Sequence, residues 1–155
     1  MVNLSMKIGI GADHRGFFLK EELKKFLEKN NFEVKDFGTF SNEVFDYPDV
    51  AFPLGEAVKK RKIAKGILIC GSGLGMSIAA NKIKGIRAAL CLNKEMAKMA
   101  RNHNDANILV LAANFTTLRK AKEIVKTFLK EKFEGGRHLR RINKIKKYEN
   151  LTLGK

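Results

Sequence analysis

The chain of 155 residues has no tryptophan, only two prolines and two cysteines, and no long apolar run. A membrane-spanning helix needs about 18 or more consecutive apolar residues, so we expect no membrane association. The cysteines, Cys70 and Cys91, are too few for a disulfide framework or a cysteine-based metal motif. The first residues lack the charged and then apolar pattern of a secretory signal. We therefore expect a cytoplasmic protein.

Acidic residues are scarce as well, with 16 Asp and Glu against 31 Lys and Arg, and the net charge is +15. A basic excess of this size raises nucleic acid as a partner. However, 23 of the basic residues are lysines, and they are spread over every predicted helix. This pattern favours a solvated surface over a nucleic-acid site, and nucleic-acid binding stays as the alternative function.

Strand-length apolar segments alternate with amphipathic helix-length segments through one domain, residues 1–155. Within it, 1–6 is an N-terminal extension and 137–155 is a basic C-terminal segment. The predicted strands are 7–11, 33–37, 66–70, 86–92 and 108–112. The predicted helices are 17–30, 49–60, 74–82, 94–102 and 117–128, with a last basic helix from about residue 137. This alternation predicts an α/β fold with a five-stranded parallel sheet between helical layers.

A glycine-rich turn follows the third predicted strand, at the sheet edge where ligands bind in such folds. Its backbone N–H groups open a helix and favour an anion. The turn consists of Gly71, Ser72, Gly73, Leu74 and Gly75. It matches neither the dinucleotide nor the P-loop pattern, and a purely structural tight turn is the alternative.

Cys70 directly precedes this turn, where the field of the helix N-terminus would favour its thiolate form. The alternative is a buried small hydrophobic residue. Cys91 has no such turn beside it and is interpreted as core. Asp13 and His14 follow the first strand at the same edge, as ligand-binding residues or, for Asp13, as a helix cap.

His103 precedes the fifth strand and is therefore expected at the opposite edge from Cys70, with a polar loop as the alternative interpretation. A five-residue strand spans roughly 17 Å. If both residues serve one site, His103 comes from a second subunit. Arg137 and Arg141 are four residues apart, so on a helix they face the same way and suit a phosphate dianion. A solvated basic face is the alternative for this pair.

Together these residues resemble the type B ribose-5-phosphate isomerases, of the family that includes allose-6-phosphate and galactose-6-phosphate isomerases. The resemblance runs from about residue 7 to 147. The matching motifs are Asp13-His14-x-Gly16-Phe17, Asp46-Tyr47-Pro48, the stretch 66–81, Gly85-Ile-Arg-Ala88, His103-Asn104-Asp105-x-Asn107 and Glu134-Gly-Gly-Arg-His138.

This resemblance implies a Rossmann-like three-layer α/β/α sandwich, a homodimer or homotetramer, and no metal or cofactor. It implies interconversion of ribose 5-phosphate and ribulose 5-phosphate through an enediolate, a step of the pentose phosphate pathway. Cys70 would move the proton between C2 and C1, because the position of a glutamate in some relatives is Met76 here. The glycine turn with Ser72 would stabilise the enediolate oxygen. His103 would donate a proton and assist ring opening.

The resemblance also implies the residues that hold the substrate. Asp13 and His14 would bind the sugar or phosphate, Asn104 a sugar hydroxyl, and Arg137 and Arg141 the phosphate. One position departs from the pattern, since many relatives carry an arginine after the fifth strand where this chain has Asn114. Asn114 can still donate a hydrogen bond; either phosphate binding is weaker than in those relatives, or another basic residue such as Arg119 or Arg140 replaces the missing charge.

Overall fold

The structure, a computed structural model, describes residues 6–152. Its five strands are β1 (Lys7–Ala12), β2 (Glu33–Asp36), β3 (Lys65–Cys70), β4 (Ala88–Leu90) and β5 (Ile108–Ala112). Its α-helices are α1 (Phe17–Lys29), α2 (Pro48–Lys59), α3 (Leu74–Ala80), α4 (Lys94–Asn102), α5 (Leu118–Lys130) and α6 (Arg137–Thr152). A 3₁₀ turn, Ala113–Phe115, links β5 to α5. Every predicted element is present, and the N-terminal extension lies outside the described residues except for Met6.

The fourth strand is shorter than the predicted 86–92 at both ends. At its start, the Ile86 N–H donates to the Ile83 carbonyl at 3.1 Å, which closes a turn, and the Arg87 N–H donates to the Asn107 side chain at 2.8 Å. At its end, Asn93 caps α4 by accepting from the Met96 N–H. Side-chain capping on both sides, which an apolar pattern does not reveal, restricts the ladder to three residues.

All strand pairs are parallel, in the order β2-β1-β3-β5-β4. The chain leaves β1 toward β2 on one side of the sheet and leaves β3 toward β5 and β4 on the other. Adjacent strands whose connections diverge create a crevice at their carboxyl ends, which is the usual ligand position in open α/β sheets. The crevice here lies between the ends of β1 and β3.

The sheet is covered by helices on both faces, as the long apolar strands predicted. Alternate residues of β3 point to opposite sides. Ile67 and Ile69 pack in the core toward α1, α4 and α5. Leu68 and Cys70 pack in the core toward α2 and α3. Cys70 thus belongs to the α2–α3 layer, next to the turn that opens α3. No helix within residues 6–152 is long and apolar enough to cross a membrane.

Candidate active site

Three loops meet at the carboxyl edge of the sheet, after β1, β3 and β5. The Asp13 N–H donates to the Ile69 carbonyl at 3.1 Å, which ties the first loop to β3. The Asn114 N–H donates to the Gly71 carbonyl at 2.9 Å, which ties the third loop to the glycine turn. The structure therefore brings five of the predicted site features together: Asp13, His14, Cys70, the turn 71–75 and Asn114.

Asp13 is buried and stabilises the loop that enters α1. Its Oδ1 accepts from the Arg15 N–H at 2.9 Å and from the Gly16 N–H at 3.1 Å. Both N–H groups precede α1, whose N-cap is Gly16 without a side-chain cap bond, so Asp13 closes the turn before the helix and does not cap the helix itself. Next to it, Nδ1 of His14 lies 3.2 Å from both N and O of Phe45. That contact orients the ring and leaves Nε2 for a ligand.

The glycine turn has the backbone geometry that only glycine accepts easily. Gly73 has φ +76° and caps α3, and a Cβ there would lie 2.5 Å from Leu90 Cδ1. The Ser72 hydroxyl oxygen accepts from the Leu74 N–H at 3.2 Å. This N–H is already occupied, so the predicted anion cradle has one free donor fewer than the sequence indicated, while the Ser72 O–H remains able to donate.

Cys70 lies at the end of β3 as a free thiol, 4% exposed. Met76 is fully buried in the same apolar cluster. A buried thioether has no acidic proton and cannot act as a base at neutral pH. Of these two side chains, the thiol of Cys70 is thus the one suited to proton transfer.

A second group of predicted residues lies at the opposite edge. The register pairs Gly66 with Ile108 and Cys70 with Ala112, so the whole length of β5 separates Cys70 from the loop before Ile108. His103 ends α4 in that loop, as predicted, with Asn104 exposed beside it. The structure does not bring Cys70 and His103 together within one chain.

The basic residues of α6 accompany this second group. The His103 ring stacks on the His138 ring with centroids 4.3 Å apart and planes 10° apart. Burial and the nearby charges of His103, Arg137 and Arg141 lower the pKa of His138, against a smaller opposite effect of Glu134. On α6, Arg137 directly precedes His138 and Arg141 follows about one turn later, and both arginines are exposed to solvent. The guanidinium groups of Arg137 and Arg141 have the charge and the hydrogen-bond donors to bind a phosphate.

Four residues near these groups were not assigned to the site by sequence reasoning. A Cβ placed on Gly71 would lie 2.8 Å from Arg15 Cδ, so Arg15 runs directly over the turn. A Cβ on Gly75 would lie 2.6 Å from the Tyr47 ring. Glu134 and His138 contact each other and His103. Three of the four belong to the motifs of the family resemblance, so those motifs could have identified them as site residues. They are Tyr47, Glu134 and His138.

Ligand atoms of His103, Glu134 and His138 lie within 4.8 Å of one another, a set able to attract a metal ion. The geometry disfavours a metal centre, because the lone pair of an imidazole lies in its ring plane. Two parallel rings therefore cannot direct both lone pairs at one ion in this arrangement. Arg137 and Arg141 also place positive charge beside the cluster.

Comparison with known proteins identifies the family. The family model described as Ribose/Galactose Isomerase matches residues 8–145. The chain belongs to the ribose/galactose isomerase family. The ribose-5-phosphate isomerase B of Escherichia coli is 45% identical over 139 residues, covering 90% of this chain and 93% of the relative. This family membership confirms the resemblance that the motifs indicated.

Solved structures of the family agree with the fold. Ribose-5-phosphate isomerase B of Clostridium thermocellum has a TM-score of 0.94 at 54% identity, covering 95% of this chain and 99% of that chain. The Mycoplasma genitalium enzyme, solved with bound ribulose-5-phosphate, has a TM-score of 0.90 at 45% identity, covering 94% and 97%. The predicted three-layer α/β fold with a five-stranded parallel sheet is thereby confirmed.

Cys91 is expected to react with a thiol reagent in the unfolded protein and not in the folded protein. Burial raises the pKa of Cys91 to about 12, so its thiolate is rare at pH 8 and we expect no alkylation by iodoacetamide in the folded protein. In urea, Cys91 should label at the rate of a free cysteine. Peptide mass spectrometry measures both, and rapid labelling of Cys91 in the folded protein would contradict its assignment to the core.

Proposed function

We propose that this protein is an aldose–ketose isomerase that interconverts D-ribose 5-phosphate and D-ribulose 5-phosphate. The observation that carries the proposal is the free thiol of Cys70 at the carboxyl end of β3, directly before the glycine turn. The family relative from Mycoplasma genitalium, solved with ribulose-5-phosphate bound, supports the choice of substrate. The free, buried thiols fit a cytoplasmic location.

The chemistry is a proton transfer between adjacent carbons. The Cys70 thiolate removes the proton from C2 of the open-chain aldose, and the electron pair moves to the carbonyl oxygen at C1. The same proton returns to C1, while the hydroxyl proton of O2 passes to O1 and the carbonyl forms at C2. N–H groups of the turn and the Ser72 hydroxyl stabilise the negative oxygen of the enediolate.

His103 donates a proton to the ring oxygen of the cyclic sugar, which opens it before proton transfer. Because β5 separates His103 from Cys70 within one chain, this role requires a second subunit. Large apolar side chains stand exposed near the glycine turn, and such patches mark protein interfaces. These are Leu74, Ile78 and Phe115. We infer a homodimer, or a homotetramer built from two such dimers, with each site shared between two chains.

Phosphate binding joins the two groups of residues. Arg137 and Arg141 of one subunit face His14 and Asn114 of the other, and Asn104 and Asp13 hold the sugar. The charge absent at Asn114 is supplied by Arg15, which lies over Gly71 next to the Asn114 amide. Arg119 is less suited to this task, since its side chain is 91% exposed on α5 and lies 3.9 Å from Glu123.

The direct test is conversion of ribose 5-phosphate by the purified protein in EDTA, with allose 6-phosphate in parallel. We expect turnover of the pentose. If only the hexose reacts, the reaction class holds and the substrate is wrong. Absence of both reactions, with salt-dependent retention on nucleic acid, would favour the alternative function that the +15 charge raises.

Replacement of the proposed base, Cys70, is expected to lower the rate of isomerisation strongly and to leave phosphate binding nearly unchanged. Cys70→Ala should lower kcat by about 10²-fold or more, since general-base catalysis contributes on this order. The dissociation constant of a non-reactive pentose phosphate should stay within about threefold, because other side chains bind the phosphate. Cys91→Ala is the matched control and should retain turnover. Substantial activity of Cys70→Ala would exclude the thiolate mechanism.

The shared site predicts complementation between two inactive variants. Cys70→Ala and His103→Ala, each inactive alone and each carrying a different tag, should together recover about half of the wild-type activity per dimer when co-expressed, because each mixed dimer holds one intact site of two. The measurement is kcat per dimer after tandem-tag purification selects the mixed dimers. Co-expression without recovery would show that Cys70 and His103 act within one chain or not together.

The proposed phosphate site predicts opposite effects at two neighbouring positions. Arg15→Ala should raise KM for ribose 5-phosphate by about tenfold with kcat within about threefold, because a hydrogen bond to a charged group contributes about 1.5–3 kcal/mol. Asn114→Arg should lower KM and should restore the Arg15→Ala variant. Arg119→Ala serves as the control for loss of a surface arginine. An unchanged KM in Arg15→Ala would remove Arg15 from the site.

A further inference from the structure

His138 is buried beneath His103 and has no role in the proposed chemistry. It lies in the first turn of α6, 8% exposed, and its ring is nearly parallel to that of His103 with centroids 4.3 Å apart. A half-exposed histidine at the end of a helix has a wide choice of ring orientations. The buried His138 ring, which stacks against one face of the His103 ring, restricts His103 to few of these orientations.

Glu134 completes the arrangement. Its Oε2 lies 3.6 Å from His138 Nε2 and 4.0 Å from His103 Nε2. Both distances are too long for hydrogen bonds and short enough for electrostatic attraction. A carboxylate near both Nε2 atoms favours the tautomers with a proton on Nε2. His103 donates from Nδ1 when both of its ring nitrogens carry protons, and the tautomer that remains after donation is the Nε2-protonated one that Glu134 favours.

The charges around the stack are compatible with a neutral ring at His138. Burial, His103, Arg137 and Arg141 together lower the pKa of His138, while Glu134 acts in the opposite direction. In the proposed mechanism His103 supplies the proton, and His138 provides the flat surface against which the His103 ring packs.

We propose that His138 and Glu134 are positioning residues for His103: His138 fixes the plane of its ring, and Glu134 fixes its tautomer. The inference rests on the proposed role of His103 in ring opening. A misplaced acid lowers the rate without weakening phosphate binding, because displacement by about 1 Å can cost about 10²-fold in rate. The proposal therefore concerns kcat and leaves KM largely unaffected.

The kinetic test compares three variants of the full-length protein. His138→Ala should lower kcat at least about tenfold with KM within about twofold, and His138→Phe, which keeps a flat ring, should stay within about threefold of wild type. Ile142→Ala is the control, because Ile142 is the buried residue one turn further along α6. If Ile142→Ala loses as much kcat as His138→Ala, His138 only anchors the helix and the proposal is overturned. Equal losses in the Phe and Ala variants would overturn it as well.

A second readout does not depend on turnover. The side-chain ¹⁵N shifts of His103, recorded without substrate, should show one dominant tautomer with the proton on Nε2 in the wild-type protein. We expect a mixture of tautomers in Glu134→Gln and in His138→Ala. Identical His103 spectra in all three proteins would refute the positioning role. A wild-type protein with the expected spectrum but no isomerase activity would instead refute the proposed function alone.

Discussion

The parallel pairing of β3 between β1 and β5 is the constraint on which the remaining structure depends. Backbone hydrogen bonds in this register align Ala12 with Ile69 and Cys70 with Ala112. Three loops therefore emerge at the same height and meet around Gly71. A shift of β3 by one residue would turn every side chain to the opposite face and move Cys70 out of the α2–α3 layer. The position of the thiol is thus a consequence of strand register.

The same register separates the two halves of the proposed site. Residues after a strand and residues before its neighbour in a parallel sheet lie at opposite edges, separated by the length of the strand. Cys70 with its turn stands at one edge, and His103 with the basic residues of α6 stands at the other. In the proposed homodimer each chain contributes one half to each of two sites. The need for a second subunit in that proposal is therefore a consequence of the strand register.

Much of this arrangement was predictable. The alternation of apolar strands and amphipathic helices predicted the sheet, and the position of His103 before β5 predicted its edge, because parallel topology determines edge from chain order alone. Contacts between side chains distant in the chain were not predictable. Arg15 over Gly71, Tyr47 against Gly75 and His138 stacked on His103 depend on how loops and α6 pack. The bond from the Leu74 N–H to Ser72, which reduces the anion cradle, is local but depends on a rotamer that sequence does not specify.

The sequence by itself determined the class of fold, the order of strands and helices, the thiol before a glycine turn and the motifs of the family. These follow from local periodicity and from the backbone freedom of glycine, which act over a few residues. Only the tertiary structure decided which side chains meet: Arg15 beside Asn114, and Glu134 and His138 around His103. The physical reason is that such contacts depend on the angles and distances between packed elements, which arise from the whole core at once.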